Sequence, residues 1–190
     1  MGGRPLTTTL PLFPLNTLVF PGGRLPLRIF EQRYLDMVKQ AIADNTPFGI
    51  CAIREGNEVG TPAVPYSVGT RVQITEWDMP QTGILHIDTQ AQERFVIRTT
   101  HTEPNGLLIG TMEPVSAEPV TAVPDELELA VEVLRHIIHE YGDAHFPAPH
   151  AFDNAAWVGY RLSEVLPLKL SVKQNLLEMN DSVTRLRILA

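Results

Sequence analysis

Residues 10–34 read LPLFPLNTLVFPGGRLPLRIFEQRY, and this stretch decides how the rest of the chain folds. A helix through it is excluded, because proline has no amide donor and pushes the preceding residue towards extended backbone. Pro21-Gly22-Gly23 is a turn signal, since proline presets φ and glycine accepts a positive φ. The many apolar residues around this turn predict two buried strands that meet at a corner and lead into a helix: Leu12, Phe13, Leu15, Leu18, Val19, Phe20, Leu25, Leu27, Ile29 and Phe30.

The next segment has the apolar spacing of a helix. From residue 30 to Asn45, apolar side chains recur at i, i+4, i+8 and i+11, namely at Phe30, Tyr34, Val38 and Ala41. Asn45-Thr46-Pro47 ends this helix, and residues 48–53 are an apolar run of strand length.

Between residues 69 and 115 the pattern has a period of two, which is typical of half-buried strands. Val72 and Ile74 mark one strand. Trp77, at its end, does not continue their alternation. The next strand has His86 and Asp88 on its outer face and a core side made of Leu85, Ile87 and Thr89. Turn residues at 80–83 and 103–106 join the strands. This pattern predicts an antiparallel meander that closes into a β-barrel with the opening strands.

Beyond a proline-rich linker at residues 113–123, the pattern becomes helical again. One helix carries an apolar stripe and ends at Gly142, the stripe being Leu127, Ala130, Val131, Leu134, Ile137, Ile138 and Tyr141. We expect three further helices, with caps at Asp153, at Ser171, and at Asn180 or Asp181. We therefore predict an α+β chain, with an antiparallel β-barrel and one helix in residues 1–118 and a small helical bundle in residues 119–190.

Composition narrows the class of protein. The 190 residues carry a net charge of −7, which argues against non-specific nucleic-acid binding, since such binding depends on clustered lysine and arginine. The single cysteine, Cys51, excludes an intrachain disulfide and suits a reducing compartment. The sequence has neither a signal-peptide pattern nor an apolar run of membrane-spanning length, so we expect a cytoplasmic protein.

Two segments resemble the Lon N-terminal (substrate-binding) domain family. The first includes Pro11-Leu12-Phe13-Pro14-Leu15, Val19-Phe20-Pro21-Gly22, Leu25-Pro26-Leu27 and Ile29-Phe30-Glu31. The second includes Ala156-Trp157, Tyr160-Arg161-Leu162, Glu164-Val165-Leu166-Pro167-Leu168 and Lys173-Gln174. The resemblance spans residues 9–189 and implies a PUA-like β-barrel fold with a helical C-terminal part.

A full Lon protease also has an ATPase and a Ser-Lys peptidase domain. A Walker A loop needs a Gly-Lys pair, whereas Lys39, Lys169 and Lys173 follow valine or leucine. The resemblance therefore implies a stand-alone, non-enzymatic recognition module without a cofactor. It is similar to the part of Lon that engages unfolded or tagged polypeptide, and it could act as an adaptor in protein quality control.

The corner and its neighbours are the predicted peptide-binding site, made of Pro21, Gly22, Gly23, Arg24, Arg28, Arg33 and Trp77. Charged side chains around an apolar patch are typical of a peptide groove, although the three arginines also fit a solvated rim. Trp77, at a strand end, is a candidate for an exposed contact.

One cluster of side chains and the single cysteine suggest other chemistry. Glu132, His136 and His139 fall on the polar side of the helix that follows the linker, where they could share a metal ion or form an ordinary solvated face. Cys51 could be a nucleophile or a small core residue. The alternatives to peptide binding are therefore an RNA-binding PUA-like protein, whose affinity would fall steeply with salt, and a metal-dependent or thiol enzyme.

Overall fold

Residues 6–190, which this computed structural model describes, form a seven-stranded sheet and five α-helices. The strands are β1 (Thr8–Leu15), β2 (Arg24–Ile29), β3 (Phe48–Glu55), β4 (Val64–Pro65), β5 (Val68–Gln81), β6 (Ile84–Thr102) and β7 (Leu108–Pro114). The helices are α1 (Gln32–Asp44), α2 (Glu128–Tyr141), α3 (Ala155–Val165), α4 (Leu170–Glu178) and α5 (Ser182–Leu189). None of the helices in this part of the chain has both the length and the apolar character needed to cross a bilayer.

Strand pairing runs in a closed circle, β1–β7–β6–β5–β3–β1, which confirms the predicted β-barrel. The pairs in this circle are antiparallel except β1–β3, in which Leu12 lies opposite Gly49 and Leu15 opposite Ala52. This pair departs from the predicted antiparallel arrangement because β2 and α1 lie between the two strands in sequence. They form the long crossover connection that parallel neighbours require.

β2 lies outside the circle and pairs with β6, so within residues 6–190 one of its edges has no strand neighbour. Arg24 lies opposite Gln90, and Ile29 lies opposite Leu85. Pro26, which has no N–H to donate, is tolerated in β2 because an edge strand leaves alternate amides unpaired.

The main core lies between the barrel and α1. The rings of Phe13 and Tyr34 stack with centroids 4.0 Å apart, and Val38 and Ala41 are buried beside them, which confirms most of the predicted stripe. Phe30 is 56% exposed, so its place in that stripe is wrong. The helix begins two residues later, and Phe30 precedes its first turn.

The C-terminal helices pack around the predicted stripe of α2, although Tyr141 at its end is exposed. Asp181 caps α5 as expected, by accepting a hydrogen bond from the Thr184 amide. The other two predicted caps are wrong. Asn154 rather than Asp153 caps α3, and Ser171 lies inside α4, which begins at Leu170 without a side-chain cap.

The linker is fixed to the helices by a buried ion pair. Arg185 of α5 has no exposed surface and donates to Glu118 from Nη1 at 2.8 Å and from Nη2 at 3.0 Å. From the barrel, Arg94 donates to the carbonyl of Leu177 at 2.8 Å and to the side chain of Asn180 at 3.0 Å. Buried guanidinium groups therefore join the barrel, the linker and the last two helices.

Candidate functional site

The corner at residues 21–23 lies against α3. The Pro21 carbonyl accepts a 2.8 Å hydrogen bond from Arg161 Nη2, which also donates to Glu164 at 2.9 Å. Gly22 has a φ of 80°, and a Cβ at Gly23 would collide with the Glu164 carboxylate. The corner therefore joins the barrel to the helices, and Pro21 and Gly22 line a cleft of about 350 Å³ at this junction.

The same junction holds a carboxyl group with a perturbed pKa. Burial raises the pKa of Glu164 to about 7, although the nearby Arg161 and Lys173 favour the ionised form. Lys173 Nζ donates to the Glu164 carbonyl at 2.8 Å, and burial lowers the pKa of this ammonium group. The contact between the corner and α3 therefore contains a group that titrates near neutral pH.

Arg33 does not form the solvated rim that the sequence suggests, since only 7% of its side chain is exposed. Its Nη1 donates to the Gly106 carbonyl at 3.1 Å, its Nη2 donates to the Glu58 carbonyl at 3.4 Å, and Nη2 also lies 3.2 Å from Glu31. The guanidinium covers the Tyr34 ring at 4.7 Å. Arg33 thus holds two loops against the start of α1.

Arg28 and Trp77 line the same groove, of about 560 Å³, over β2, β6 and β5. We call it the charged groove, because its lining includes Glu76, Asp78, His86 and Asp88. Arg24 lies further along β2 and is not part of the lining. The charged groove therefore brings together two of the seven predicted binding residues, whereas Pro21 and Gly22 line the separate cleft beside α3. The groove also adds carboxylates that the sequence reasoning missed.

A β-bulge in β5 explains why those carboxylates were missed. Ile74 lies opposite Thr89, whereas Glu76 lies opposite Asp88, so Thr75 is an extra residue in the ladder. An extra residue reverses the alternation of the side chains that follow it. No glycine or other turn residue marks this bulge in the sequence.

Beyond the bulge, Glu76 and Asp78 share a face with their partners on β6, Asp88 and His86. That face is the outer one predicted for His86. Trp77 instead lies opposite the buried Ile87, yet it is 57% exposed, since this end of β5 extends past the core. In the sequence, the only sign of the bulge is that Trp77 breaks the alternation set by Val72 and Ile74.

A second groove, of about 230 Å³, lies beside the first. Pro26, Leu27 and Arg28 line both grooves. We call the second one the apolar groove, because most of its lining is hydrophobic, including Phe13, Leu15, Ile29, Phe30, Tyr34 and Val59. Of these side chains, Phe30 is 56% and Val59 is 58% exposed. β2 thus contributes to a mixed-charge groove and to an apolar one.

Cys51 lies inside the barrel with no exposed surface, beside Leu12, Phe95 and Met112. Burial raises the pKa of this thiol to about 12. Because the thiolate is the nucleophilic form, the position provides neither reactivity nor access for a substrate. Cys51 is therefore a core residue.

Glu132, His136 and His139 are exposed on α2. Among residues 6–190, no three histidine, cysteine, aspartate or glutamate side chains are placed to hold a metal ion. The nearby His150 is partly buried, and its Nε2 lies 2.7 Å from the carbonyl of Phe146. The two histidines and the glutamate therefore form a solvated helix face.

Comparison with known sequences relates nearly the whole chain to one domain. Residues 9–190 match the sequence model of the ATP-dependent protease La (LON) substrate-binding domain. A Lon protease of Flavobacterium johnsoniae is 23% identical over 189 residues, which are 95% of this chain and 23% of that protein. One from Anaeromyxobacter dehalogenans is 33% identical over 73 residues, which are 37% of this chain and 9% of that protein. The chain thus spans less than a quarter of either relative.

Solved structures confirm the predicted fold. The Lon N-terminal domain protein from Xanthomonas campestris is 33% identical and superposes with a TM-score of 0.80, covering 96% of both chains. The N-terminal domain of the Mycobacterium avium complex Lon protease has 18% identity and a TM-score of 0.66, again with 96% of both chains covered. The second likeness concerns the fold alone.

Proposed function

Because the chain belongs to the family of Lon substrate-binding domains, we propose that it is a non-enzymatic module that binds exposed apolar segments of other polypeptides. The two grooves along β2 are the proposed binding surface. The observation that carries this proposal is the exposure of large apolar side chains beside β2. Phe30 and Val59, which line the apolar groove, are each more than half exposed, although burial of such side chains is favourable.

The form of β2 favours contact through side chains rather than addition of another strand. β2 has only six residues, and it carries Pro26 and two arginines, features that suppress open-ended strand pairing. An extended segment that crosses β2 can nevertheless place alternate side chains on its two sides. Apolar side chains of the bound segment then fill the apolar groove.

The wider role that we propose is that of an adaptor in cytoplasmic protein quality control. The relatives are named Lon protease, and this chain aligns with the part described as substrate-binding. Delivery of the bound segment to a protease would then require a second protein. Residues 1–118 and 119–190 act as one unit in this proposal, because Glu118 lies at their boundary and is paired with Arg185.

The direct test is a binding titration with a labelled protein that is kept unfolded by reduction and alkylation, with its folded form as the control ligand. We expect saturable binding of the unfolded form alone. Phe30→Asp should weaken it about fivefold or more, since a carboxylate would enter an apolar contact, and fivefold corresponds to about 1 kcal/mol.

Leu129→Asp is the matched control, because Leu129 is 71% exposed on α2. Absence of saturable binding, or an equal loss of affinity with Phe30→Asp and Leu129→Asp, would contradict the proposal.

A further inference from the structure

The outer face of β2, β6 and β5 carries two rows of side chains. Arg28 lies opposite His86, which lies opposite Asp78, and this makes the first row. Pro26 lies opposite Asp88, which lies opposite Glu76, and this makes the second. The rows are two residues apart along each strand, so their side chains share one face, and all six residues line the charged groove.

The second row contains a like-charge pair. Glu76 and Asp88 are direct cross-strand partners, an arrangement that destabilises a sheet by itself. Within residues 6–190, none of Glu76, Asp78 and Asp88 forms a salt bridge. Arg28, the one arginine in the lining, lies in the other row and on another strand from this pair.

Three carboxylates against one guanidinium give the groove a negative field when His86 is neutral. This balance reverses the expectation from the sequence, in which arginines surround the binding surface. A cationic side chain entering the groove would relieve the repulsion between Glu76 and Asp88. It would also leave Arg28 in place at the other row.

We propose that the charged groove binds a lysine or arginine side chain of the bound polypeptide, so that this chain selects segments with a basic residue close to an apolar one. The inference rests on the proposed function and specifies its substrate class. Because the two grooves share Pro26, Leu27 and Arg28, one extended segment can fill both. An extended chain advances about 3.3 Å per residue, so the basic and apolar residues lie a few positions apart.

The test uses three labelled peptides of equal length with the same leucine and phenylalanine core, flanked by lysine, by serine or by glutamate. We expect the lysine peptide to bind about tenfold tighter than the serine peptide, the effect of about two partly exposed ion pairs. The glutamate peptide should bind weakest. The advantage of lysine should shrink as sodium chloride is raised.

Glu76→Gln together with Asp88→Asn should remove the preference for lysine, so that this variant binds the lysine and serine peptides with equal affinity. Glu132→Gln together with Glu140→Gln, on the exposed face of α2, is the matched control and should leave the preference intact. Circular dichroism of each double variant checks that the fold is retained.

Equal affinity of the wild-type protein for the lysine and serine peptides would overturn this inference while leaving the proposed function standing. Binding of none of the three peptides would overturn both. A dimer of the wild-type protein that dissociates in the Glu76→Gln, Asp88→Asn variant would assign the groove to a second copy of this chain, and would also overturn the inference.

Discussion

Replacing Arg185 by methionine should be among the most damaging single changes in this protein. The side chain is fully buried, forms two hydrogen bonds with Glu118, and donates from Nε to the Leu176 carbonyl at 2.9 Å. Its guanidinium also covers the Tyr160 ring at 4.4 Å. Methionine has a similar length and no charge, so it fills much of the space and removes every one of these polar contacts.

The expected loss of stability in Arg185→Met comes from the Glu118 carboxylate, which stays buried. Glu118 is only 4% exposed, and without Arg185 its carboxylate would stay in the interior with a 2.8 Å hydrogen bond from the Tyr160 hydroxyl but without its counter-charge. Removing one partner of a buried ion pair costs about 3–5 kcal/mol. A domain has a total stability of about 5–15 kcal/mol, so the loss would be a large part of it. At about 2–4 °C per kcal/mol for a chain of this size, the midpoint of thermal unfolding should fall by about 6–20 °C.

The assay is urea unfolding followed by circular dichroism and tryptophan fluorescence, together with a thermal scan. Arg187→Met is the matched control in the same helix. Arg187 is 58% exposed and pairs at 3.3 Å with Glu126, which is 64% exposed, so its loss should cost less than about 1 kcal/mol.

The double variant Glu118→Leu, Arg185→Met tests the reasoning further. It removes both buried charges and should be more stable than Arg185→Met alone. If Arg185→Met costs no more than Arg187→Met, or if the double variant is the least stable of all, the buried charge of Glu118 is not what destabilises Arg185→Met.

Three other outcomes test the junction and the core. Because burial raises the pKa of Glu164 from 4.5 to about 7, its contribution to stability should be full below pH 4.5 and lost as the pH rises through 7. Urea unfolding between pH 5 and 8 should therefore show a fall that Glu164→Gln reduces, and an unchanged slope would contradict this. Gly23→Ala should destabilise the protein by about 1–3 kcal/mol, because its Cβ would collide with Glu164, whereas Gly159→Ala meets only ordinary contacts in α3 and should be neutral or stabilising in the same assay. Cys51 should react with a thiol reagent only as fast as the protein unfolds, and rapid labelling of the native protein would refute its burial.

The sequence predicts those elements whose burial pattern is regular. The stripe of α2 and the core side of β6, with Leu85, Ile87 and Thr89, follow the periods of helix and strand. The structure buries them as expected, apart from Tyr141 at the end of the stripe. The turn at Asn105-Gly106 also lies where the sequence signal places it, with Gly106 at a φ of 89°.

The missed features depend on contacts between residues far apart in sequence. Arg33 is buried because its partners include the carbonyls of Glu58 and Gly106, which no local pattern connects to it. The carboxylates of the charged groove share a face only because of the bulge at Thr75, which has no turn residue. The corner at residues 21–23 was correctly predicted as a bend, but its packing against α3 depends on Arg161, about 140 residues away.

The closed circle of strands has a consequence for the time at which this chain can fold during synthesis. Leu12 in β1 pairs with both Gly49 and Leu108, and the second partner lies 96 residues later. Contacts of such long separation form slowly. At about 5–20 residues per second, the ribosome needs about 5–20 s after Leu12 to reach Leu108 in β7, the strand that completes the circle. Throughout that interval the apolar stretch at residues 10–34 lacks its final neighbours, so a nascent chain of this protein is itself prone to aggregation.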